Sequence, residues 1–420
     1  MERMLHYIWK HKLYAESGLM TTEGVPVSVI DAGIPNADAG PDFFNAKVRI
    51  GETIWAGNVE IHERASDWVA HNHNNDRAYD NIILHVVRYD NAQVYNTKNK
   101  VVPQLVMAVP ENVENNIKWL LSRDTPVPCK EHIYRIPPID MSGWLAALVT
   151  ERLERKTSDI SVRLEQYSKD WNEVFYITLM RNFGFSTNGD AFELLAKSLP
   201  YKYILKHRHN PLQVEALFLG QAGFLDDDGT DPYLKSLRGE YDFLKKKYGL
   251  QPVEEFLFKS MRTRPINFPH LRLAQIAAVF MNKDLLFSEI LEKESVDDLR
   301  SLFNVLPSEY WETHYNFRSS SAAKKKPIGR GASDLILINT AIPVLFAYGK
   351  YKGLSEYCER ALRFLEEIPP EHNSIITMFS SAGISVKSAG DTQALIQLRR
   401  EYCDKKKCLY CRIGFRVIGN

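Results

Sequence analysis

Apolar and polar residues alternate along much of the first 110 residues, which is the pattern of strands that bury one face. Residues 46–50 alternate in this way, residues 51–53 have the composition of a tight turn, and residues 54–62 follow as the returning strand of a hairpin. Residues 82–87 are almost continuously apolar, as expected of a strand covered on both faces. Further strands are predicted at residues 25–34, 93–95 and 101–109.

Helical segments flank these strands. Residues 6–14 predict an aromatic-rich opening helix, and Ser66 is placed to cap a crossover helix over residues 67–79. From residue 142 onward, apolar residues recur every three or four positions, which indicates helices. We therefore expect an α+β protein. Its predicted parts are an α/β domain with a mixed sheet (residues 1–125), a proline-rich linker (126–141), a mostly α-helical domain (142–400) and a cysteine-rich terminal segment (401–420).

Composition and charge limit the classes of partner that we expect this protein to bind. A net charge of +1 over 420 residues gives no general attraction to nucleic acid, so any such binding must come from local patches. The first ten residues are too charged for a signal peptide. The most apolar stretch, residues 335–348, is interrupted by Asn339, Thr340 and Pro343, which argues against a membrane span. We expect a cytoplasmic protein that does not bind membranes.

Two carboxylates form the first candidate site. Asp42 precedes the first strand of the hairpin, and Glu60 lies on the second. With a three-residue turn, Asp42 falls opposite His62 and shares a face with Glu60. With a two-residue turn, Asp42 and Glu60 fall on opposite faces unless a bulge restores the register, and the sequence leaves both turns open. Paired carboxylates of this kind hold Mg²⁺ or Mn²⁺ for phosphodiester hydrolysis.

Three histidines form a second group. If the crossover packs beside the strand end, His71 or His73 approaches Asp42 and Glu60 and acts as a general base or steadies the leaving group. The two side chains diverge by about 200° on a regular helix, so both point inward only if this stretch is a loop. A zinc site made of the three histidines, His62, His71 and His73, is a second interpretation. Polar residues that cap the helix end are the third.

The terminal cysteines form a third group. Cys403, Cys408 and Cys411 have the spacing of a zinc knuckle, and a purely structural Zn²⁺ is the expected occupant. Cys358, His314 and His372 are candidates for a fourth ligand, without diagnostic spacing. Reduced cysteines at a basic terminus are the alternative.

The motif Asp42 followed by Glu60-Ile61-His62 resembles the PD-(D/E)XK phosphodiesterase superfamily, as does the order of elements in the first 90 residues. The resemblance implies that Asp42 and Glu60 are metal ligands, and His62 stands where that superfamily has a lysine. The whole chain also resembles an uncharacterised bacterial family, a domain of unknown function. The features that carry this second resemblance are Gly40-Pro41-Asp42-Phe43, residues 57–62, His71-Asn72-His73 and the terminal cysteines.

These observations predict a metal-dependent nuclease that acts on DNA or RNA. Asp42 and Glu60 hold the metal, His62 replaces the lysine, and His71 or His73 assists. The helical domain, with a basic loop at residues 319–331, would clamp the nucleic acid, although solvated charge is the usual role of such loops. An inactive nuclease fold that serves as a nucleic-acid-binding or scaffold module is the alternative, and a hydrolase of small phosphoesters is a third interpretation.

Overall fold

The computed structural model describes residues 2–36, 38–226, 231–261, 263–282 and 287–419. The chain divides into two compact units. The first comprises Met1–Ser142, Ser381–Ile384 and Leu398–Asn420, and the second comprises Gly143–Ser380 and Ser385–Gln397. The first contains a mixed sheet and the second is helical, so the fold is α+β, as expected from the change of periodicity.

Six strands form the sheet of the first unit. They are β1 (Val27–Asp31), β2 (Ile34–Pro35), β3 (Phe43–Ile50), β4 (Thr53–Arg64), β5 (Ile82–Tyr89) and β6 (Gln104–Val106). Their order is β1-β3-β4-β5-β6, with β2 also paired to β3. Strands β1, β2 and β4 each pair with β3 in the antiparallel sense. Strand β5 pairs parallel with β4, and β6 pairs parallel with β5. The helices of this unit are α1 (Glu2–Lys10), α2 (Asp67–Ala70), α3 (Glu111–Ser122) and, near the C-terminus, α19 (Arg412–Gly419).

One face of the sheet carries the main core of this unit. Helix α1 buries Leu5, Ile8 and Trp9 in the same apolar cluster as Val59 and Ile61 of β4. The indole Nε1 of Trp9 donates a hydrogen bond to the carbonyl of Ala32 at 3.0 Å, so its polar atom is satisfied inside the core. Strand β4 thus has an apolar face under α1, which leaves its alternate residues on the opposite face.

The β3–β4 hairpin has a two-residue turn and a bulge. Ile50 pairs with Thr53, and this register continues to Ala46 opposite Gly57. It then shifts by one residue, so that Phe43 pairs with Val59. Asn45 supplies the extra residue with a φ of 55°, in the left-handed region that asparagine tolerates better than most residues. The backbone N–H of Asn45 donates to Oδ1 of Asn58 at 3.4 Å, which ties the bulge to the facing strand.

Two predicted segments of this unit are shorter than the sequence pattern indicated. The crossover helix α2 ends at Ala70 instead of residue 79, and Ser66 makes no side-chain capping hydrogen bond. The chain then turns through a left-handed residue, Asn72, because the polar run that follows offers no apolar face to bury. Residues 93–95 form no strand of the sheet, and β6 covers only part of residues 101–109.

The second unit consists of helices. They are α4 (Pro138–Gln166), which begins in the first unit, α5 (Trp171–Phe183), α6 (Phe185–Ser198), α7 (Tyr201–His207), α8 (Pro211–Gln221), α9 (Pro232–Tyr248), α10 (Pro269–Asn282), α11 (Phe287–Glu292), α12 (Val296–Ser301), α13 (Tyr310–Thr313), α14 (Arg330–Ile336), α15 (Ile342–Lys352), α16 (Ser355–Glu367), α17 (Ser374–Ser381) and α18 (Ala389–Gln397). A π-helical turn, Leu337–Ala341, joins α14 to α15. The resulting helix, Arg330–Lys352, is long and apolar enough to cross a membrane by length and composition alone, but 67% of its apolar window is buried inside the protein.

The basic loop of this unit contains one charge that is not at the surface. Lys326 is 2% exposed, and its Nζ donates hydrogen bonds to the backbone carbonyls of Trp311, Glu312 and His314. Lys324 and Lys325 are exposed. Lys326 therefore joins two segments of the fold instead of adding to a solvated basic patch.

Candidate functional site

The bulge in β3 brings Asp42 and Glu60 together. After the register shift at Asn45, Phe43 pairs with Val59, so Asp42, the residue before Phe43, comes level with Glu60. The backbone N–H of Asp42 donates to Oε2 of Glu60 at 3.1 Å, and that of Ile61 donates to Oδ2 of Asp42 at 2.9 Å. Each carboxylate is thus anchored to the other's strand by one oxygen. Of the two turns that the sequence left open, the hairpin has the two-residue turn, and the bulge restores the shared face of Asp42 and Glu60.

His62, His71 and His73 lie beside this pair. One ring nitrogen from each is within 4.8 Å of the other two. Nε2 of His62 is 3.1 Å from Nδ1 of His71. Oε1 of Glu60 is 3.2 Å from Nε2 of His73 and 3.6 Å from Nε2 of His62. Three contacts of 3.1–3.6 Å between nitrogen and oxygen atoms therefore link these four side chains.

The short crossover explains why both His71 and His73 face the site. Helix α2 ends before His71, and Asn72 has a φ of 63°, so the chain reverses before the 3₁₀ turn His73–Asn75 begins. The ring of His73 stacks on Tyr79 with centroids 3.8 Å apart and an interplanar angle of 24°. His73 is buried, whereas His71 is exposed, so the site opens to solvent on the His71 side.

A chain of hydrogen bonds orients the ring of His62. Nδ1 of His62 lies 2.9 Å from Nε2 of His85, and Nδ1 of His85 lies 3.1 Å from Oε1 of Gln104. The amide of Gln104 is itself oriented, because its Nε2 donates to Oδ1 of Asp90 and to the carbonyl of Ala92. Gln104 therefore accepts from His85, which leaves Nε2 of a neutral His85 as the acceptor for the N–H at Nδ1 of His62. The lone pair of His62 is left on Nε2, the atom that points into the site.

Burial keeps these two rings neutral. Burial, reinforced by the neighbouring histidines, lowers the pKa of His62 to about 2. Burial also lowers the pKa of His85, to about 4, although the contact with Gln104 acts in the opposite direction. His62 therefore carries no charge at neutral pH and does not replace the cation of a lysine at this position. It has the properties of a neutral nitrogen ligand instead.

A sixth side chain, His6, joins the site from α1, although no sequence motif indicated it. Nε2 of His6 is 3.2 Å from Oδ2 of Asp42. Burial acts to lower the pKa of His6, but the contact with Asp42 and the charges of Glu2 and Glu60 outweigh it, so the pKa is raised. His6 is 36 residues before Asp42 in the sequence, and only the packing of α1 against β4 brings the two together.

The site contains polar atoms that lack ordinary partners. Nε2 of His73 and Nε2 of His6 are buried and make no hydrogen bond among the described residues, although each lies 3.2 Å from a carboxylate oxygen. The rings are not aligned for donation to those oxygens. Burial raises the pKa of Glu60, and its contact with His73 offsets only part of that effect. A buried acid with a raised pKa beside unpaired nitrogens has the character of an incomplete charge cluster.

The spacing of these atoms fits a metal ion. Bonds of about 2.0–2.2 Å from a zinc-like ion to nitrogen and oxygen place neighbouring ligand atoms roughly 3.0–3.5 Å apart. The His62–His71 and His73–Glu60 separations lie in this range, and the His62–Glu60 separation of 3.6 Å is close to it. His85 and Gln104 then stand behind His62 as the hydrogen-bonded support that metal-binding histidines usually have. Sequence analysis missed that support because neither residue lies in a motif.

The cysteine group lies in the first unit. Cys403, Cys408 and Cys411 all belong to Leu398–Asn420, and all are free thiols. Cys358, His314 and His372, the residues considered as a fourth ligand, belong to the helical unit. Sγ of Cys358 donates to the carbonyl of Phe346 at 3.5 Å.

A family model described as "Protein of unknown function (DUF2851)" matches residues 2–374. Neither the curated proteins nor the solved structures contain a match to the chain.

Proposed function

The chain belongs to this family of unknown function, and we propose that it is a metal-dependent phosphodiesterase acting on DNA or RNA. The observation that carries the proposal is the clustering of the His62, His71 and His73 nitrogens, with Glu60 beside His62 and His73 and the lone pair of His62 directed inward. The order of elements agrees with the nuclease-like core that the motif implied. Asp42 directly precedes β3, and Glu60 and His62 lie on β4, which is followed by a crossover and the buried strand β5.

The donor set favours a transition metal. Mg²⁺ prefers oxygen ligands and retains water, whereas three imidazoles suit Zn²⁺ or, together with the carboxylates, Mn²⁺. Glu60, His62, His71 and His73 would hold the ion, with Asp42 at the adjacent position. A bound ion of this kind polarises a phosphoryl oxygen and lowers the pKa of water, which is the chemistry that phosphodiester hydrolysis needs.

His6 supplies the group that carries a proton. The pKa of His6 is raised, so this ring keeps its proton to a higher pH than an ordinary histidine does, and its Nε2 lies 3.2 Å from Oδ2 of Asp42. We assign His6 the role of donating that proton to the departing oxygen of the substrate, which is the role of a general acid. His62, whose pKa is far too low, cannot perform it.

The surface beside the site fits a polyanion. Lys47 and Arg49 are exposed on β3 and pair with Ala56 and Ile54 of β4. Alternate residues of β4 share a face, so these two cations lie on the face of the hairpin that carries Glu60. At about 3.3 Å per residue, they stand roughly 13 and 20 Å along the strand from Glu60. Such a row of cations suits a chain of phosphates better than a small phosphoester.

The test is cleavage of labelled single- and double-stranded DNA and RNA with Mn²⁺, Zn²⁺, Mg²⁺ or EDTA. The variant E60Q removes a ligand without changing shape, and E63Q is its control on the same strand and the opposite face. We expect cleavage by the wild type and E63Q, at least 100-fold less with E60Q, and none with EDTA. K47A/R49A should weaken cleavage of polynucleotides, with a smaller salt dependence, whereas K324A/K325A should not. Cleavage that survives in E60Q would refute the proposed site.

The neutral His62 also favours a second candidate, a fold that binds nucleic acid without cutting it. This candidate predicts nucleic-acid binding that is unchanged by EDTA and by E60Q, with no product from any substrate. Weakened binding of K47A/R49A would still locate the surface in that case.

A further inference from the structure

Four of the five cysteines are gathered in the first unit. Cys129 follows α3, and the other three lie in the C-terminal segment Leu398–Asn420. Cys129 and Cys408 pack against the same apolar core, and Cys411 is 8% exposed. The backbone N–H of Cys411 donates to the carbonyl of Cys408 at 3.2 Å, which closes a tight turn between them.

Two contacts hold the C-terminal segment beside Cys129. The guanidinium of Arg399 donates to the carbonyl of Pro126, three residues before Cys129. Nζ of Lys406 is 3.8 Å from Oδ1 of Asp124. Gly414 of α19 packs so closely on Cys408 that a Cβ atom there would meet the Cys408 carbonyl oxygen at 2.1 Å. The turn around Cys408 is thus a close-packed part of the fold.

The thiols also interact with each other. Burial, together with smaller contributions from Cys411 and Cys408, raises the pKa of Cys129 to about 12. Burial raises the pKa of Cys403 as well, with added contributions from Cys129, Cys411 and Cys408. None of the four forms a disulfide.

We propose that Cys129, Cys403, Cys408 and Cys411 together hold one thiolate-bound metal centre, which fastens the C-terminal segment to the first unit. Cys129 is the fourth ligand that the spacing of the other three could not identify. The occupant is a thiophilic metal, and sets of four thiolates bind either a single Zn²⁺ or an iron–sulfur cluster. This centre is independent of the histidine site and of the proposed phosphodiesterase activity.

The spacing of the sulfurs favours the larger occupant. A single Zn²⁺, with Zn–S bonds of about 2.3 Å, would place the sulfurs about 3.8 Å apart. Among the described residues, no three of the thiols lie within 4.8 Å of one another, whereas the three histidines do. An iron–sulfur cluster separates its thiolates more widely, because its iron atoms lie between them.

The test compares H73A, which removes one ligand of the histidine site, with H73A/C129S and H73A/C358S, and all three proteins are purified without oxygen. Cys358, in the helical unit, is the matched control. We expect equal metal content in H73A and H73A/C358S and at least a fivefold loss in H73A/C129S, measured by elemental analysis. Iron with inorganic sulfide and visible absorption identifies a cluster, and colourless zinc identifies a single ion. Equal metal in H73A/C129S and H73A/C358S would overturn the proposal.

A second measurement covers the case in which C129S does not fold. The unsubstituted protein is alkylated before and after metal removal by a chelator, and the modified cysteines are located by mass spectrometry. We expect Cys129, Cys403, Cys408 and Cys411 to become reactive together on metal removal. Alkylation of Cys129 to the same extent before and after chelation would refute its role as a ligand.

Discussion

The hydrogen-bond chain behind His62 provides a sharp test of the histidine site, through the variant H85F. His85 is fully buried, accepts from His62 at 2.9 Å and donates to Gln104 at 3.1 Å. Phenylalanine retains the ring that packs against Trp68, with centroids 5.1 Å apart, but cannot accept from Nδ1 of His62. The N–H of His62 is then free to move to Nε2, which removes the lone pair from the site.

Loss of such a supporting hydrogen bond typically weakens metal binding by about 10- to 100-fold, which corresponds to about 1.4–2.7 kcal/mol. The metal-free protein should also lose stability, because Nδ1 of His62 loses its partner and a buried polar atom without a partner costs about 1–3 kcal/mol. We therefore expect H85F to have a higher Kd for Zn²⁺ and Mn²⁺ and a lower urea midpoint.

The assay is a competition titration against a chromogenic chelator near pH 7.5, combined with urea unfolding of the metal-free protein. The control is H270F, because His270 stacks on Phe224 in the helical unit, with centroids 3.8 Å apart, and does not take part in the histidine site. H270F should leave the Kd unchanged. If H85F binds both metals as tightly as the wild type, the lone pair of His62 is not a ligand and the reasoning fails.

Three further perturbations test other parts of the structure. The folded protein holds the proton of His6 more tightly than the unfolded chain does, so the stabilisation by His6 is complete below its ordinary pKa of 6.5 and is lost as pH rises through the raised value. H6Q should flatten that part of the curve of unfolding free energy against pH, whereas H11Q, whose histidine has a lowered pKa, should change the curve only at lower pH. N45V places a branched residue at a φ of 55° and should cost about 1–2 kcal/mol of unfolding free energy and weaken metal binding, whereas N45G should do neither. K326M removes the Nζ hydrogen bonds to the carbonyls of Trp311, Glu312 and His314 and should cost about 1–3 kcal/mol of unfolding free energy, whereas the exposed K325M should change urea unfolding little.

Parts of the fold were predictable because they follow from local patterns. The alternation in residues 46–50 and 54–62 predicted the hairpin of β3 and β4, and the apolar run at residues 82–87 predicted β5. The change of period after residue 142 predicted the helical unit. The crossover was predicted less well, because the polar run from His71 onward has helical spacing without an apolar face, and the chain forms short turns there instead.

The register of the hairpin shows where local patterns stop being sufficient. A two-residue turn alone would separate Asp42 and Glu60, and only the bulge at Asn45 pairs them. A left-handed asparagine is compatible with the sequence, but nothing local requires it. The bulge is selected by the need to bury Phe43 and Ala46 on the same side of the sheet as α1.

The sequence by itself determined the chemistry that is available: two carboxylates, a run of histidines and a terminal group of cysteines, each close together along the chain. Tertiary structure decided which residues complete those groups. His6, His85 and Gln104 reach the histidine site from α1, β5 and β6, and Cys129 lies in the same unit as the terminal cysteines, more than 270 residues before them. The physical reason is that periodicity reports only which face of an element is buried. Contacts between distant elements depend on how those faces pack, and only the folded chain contains that information.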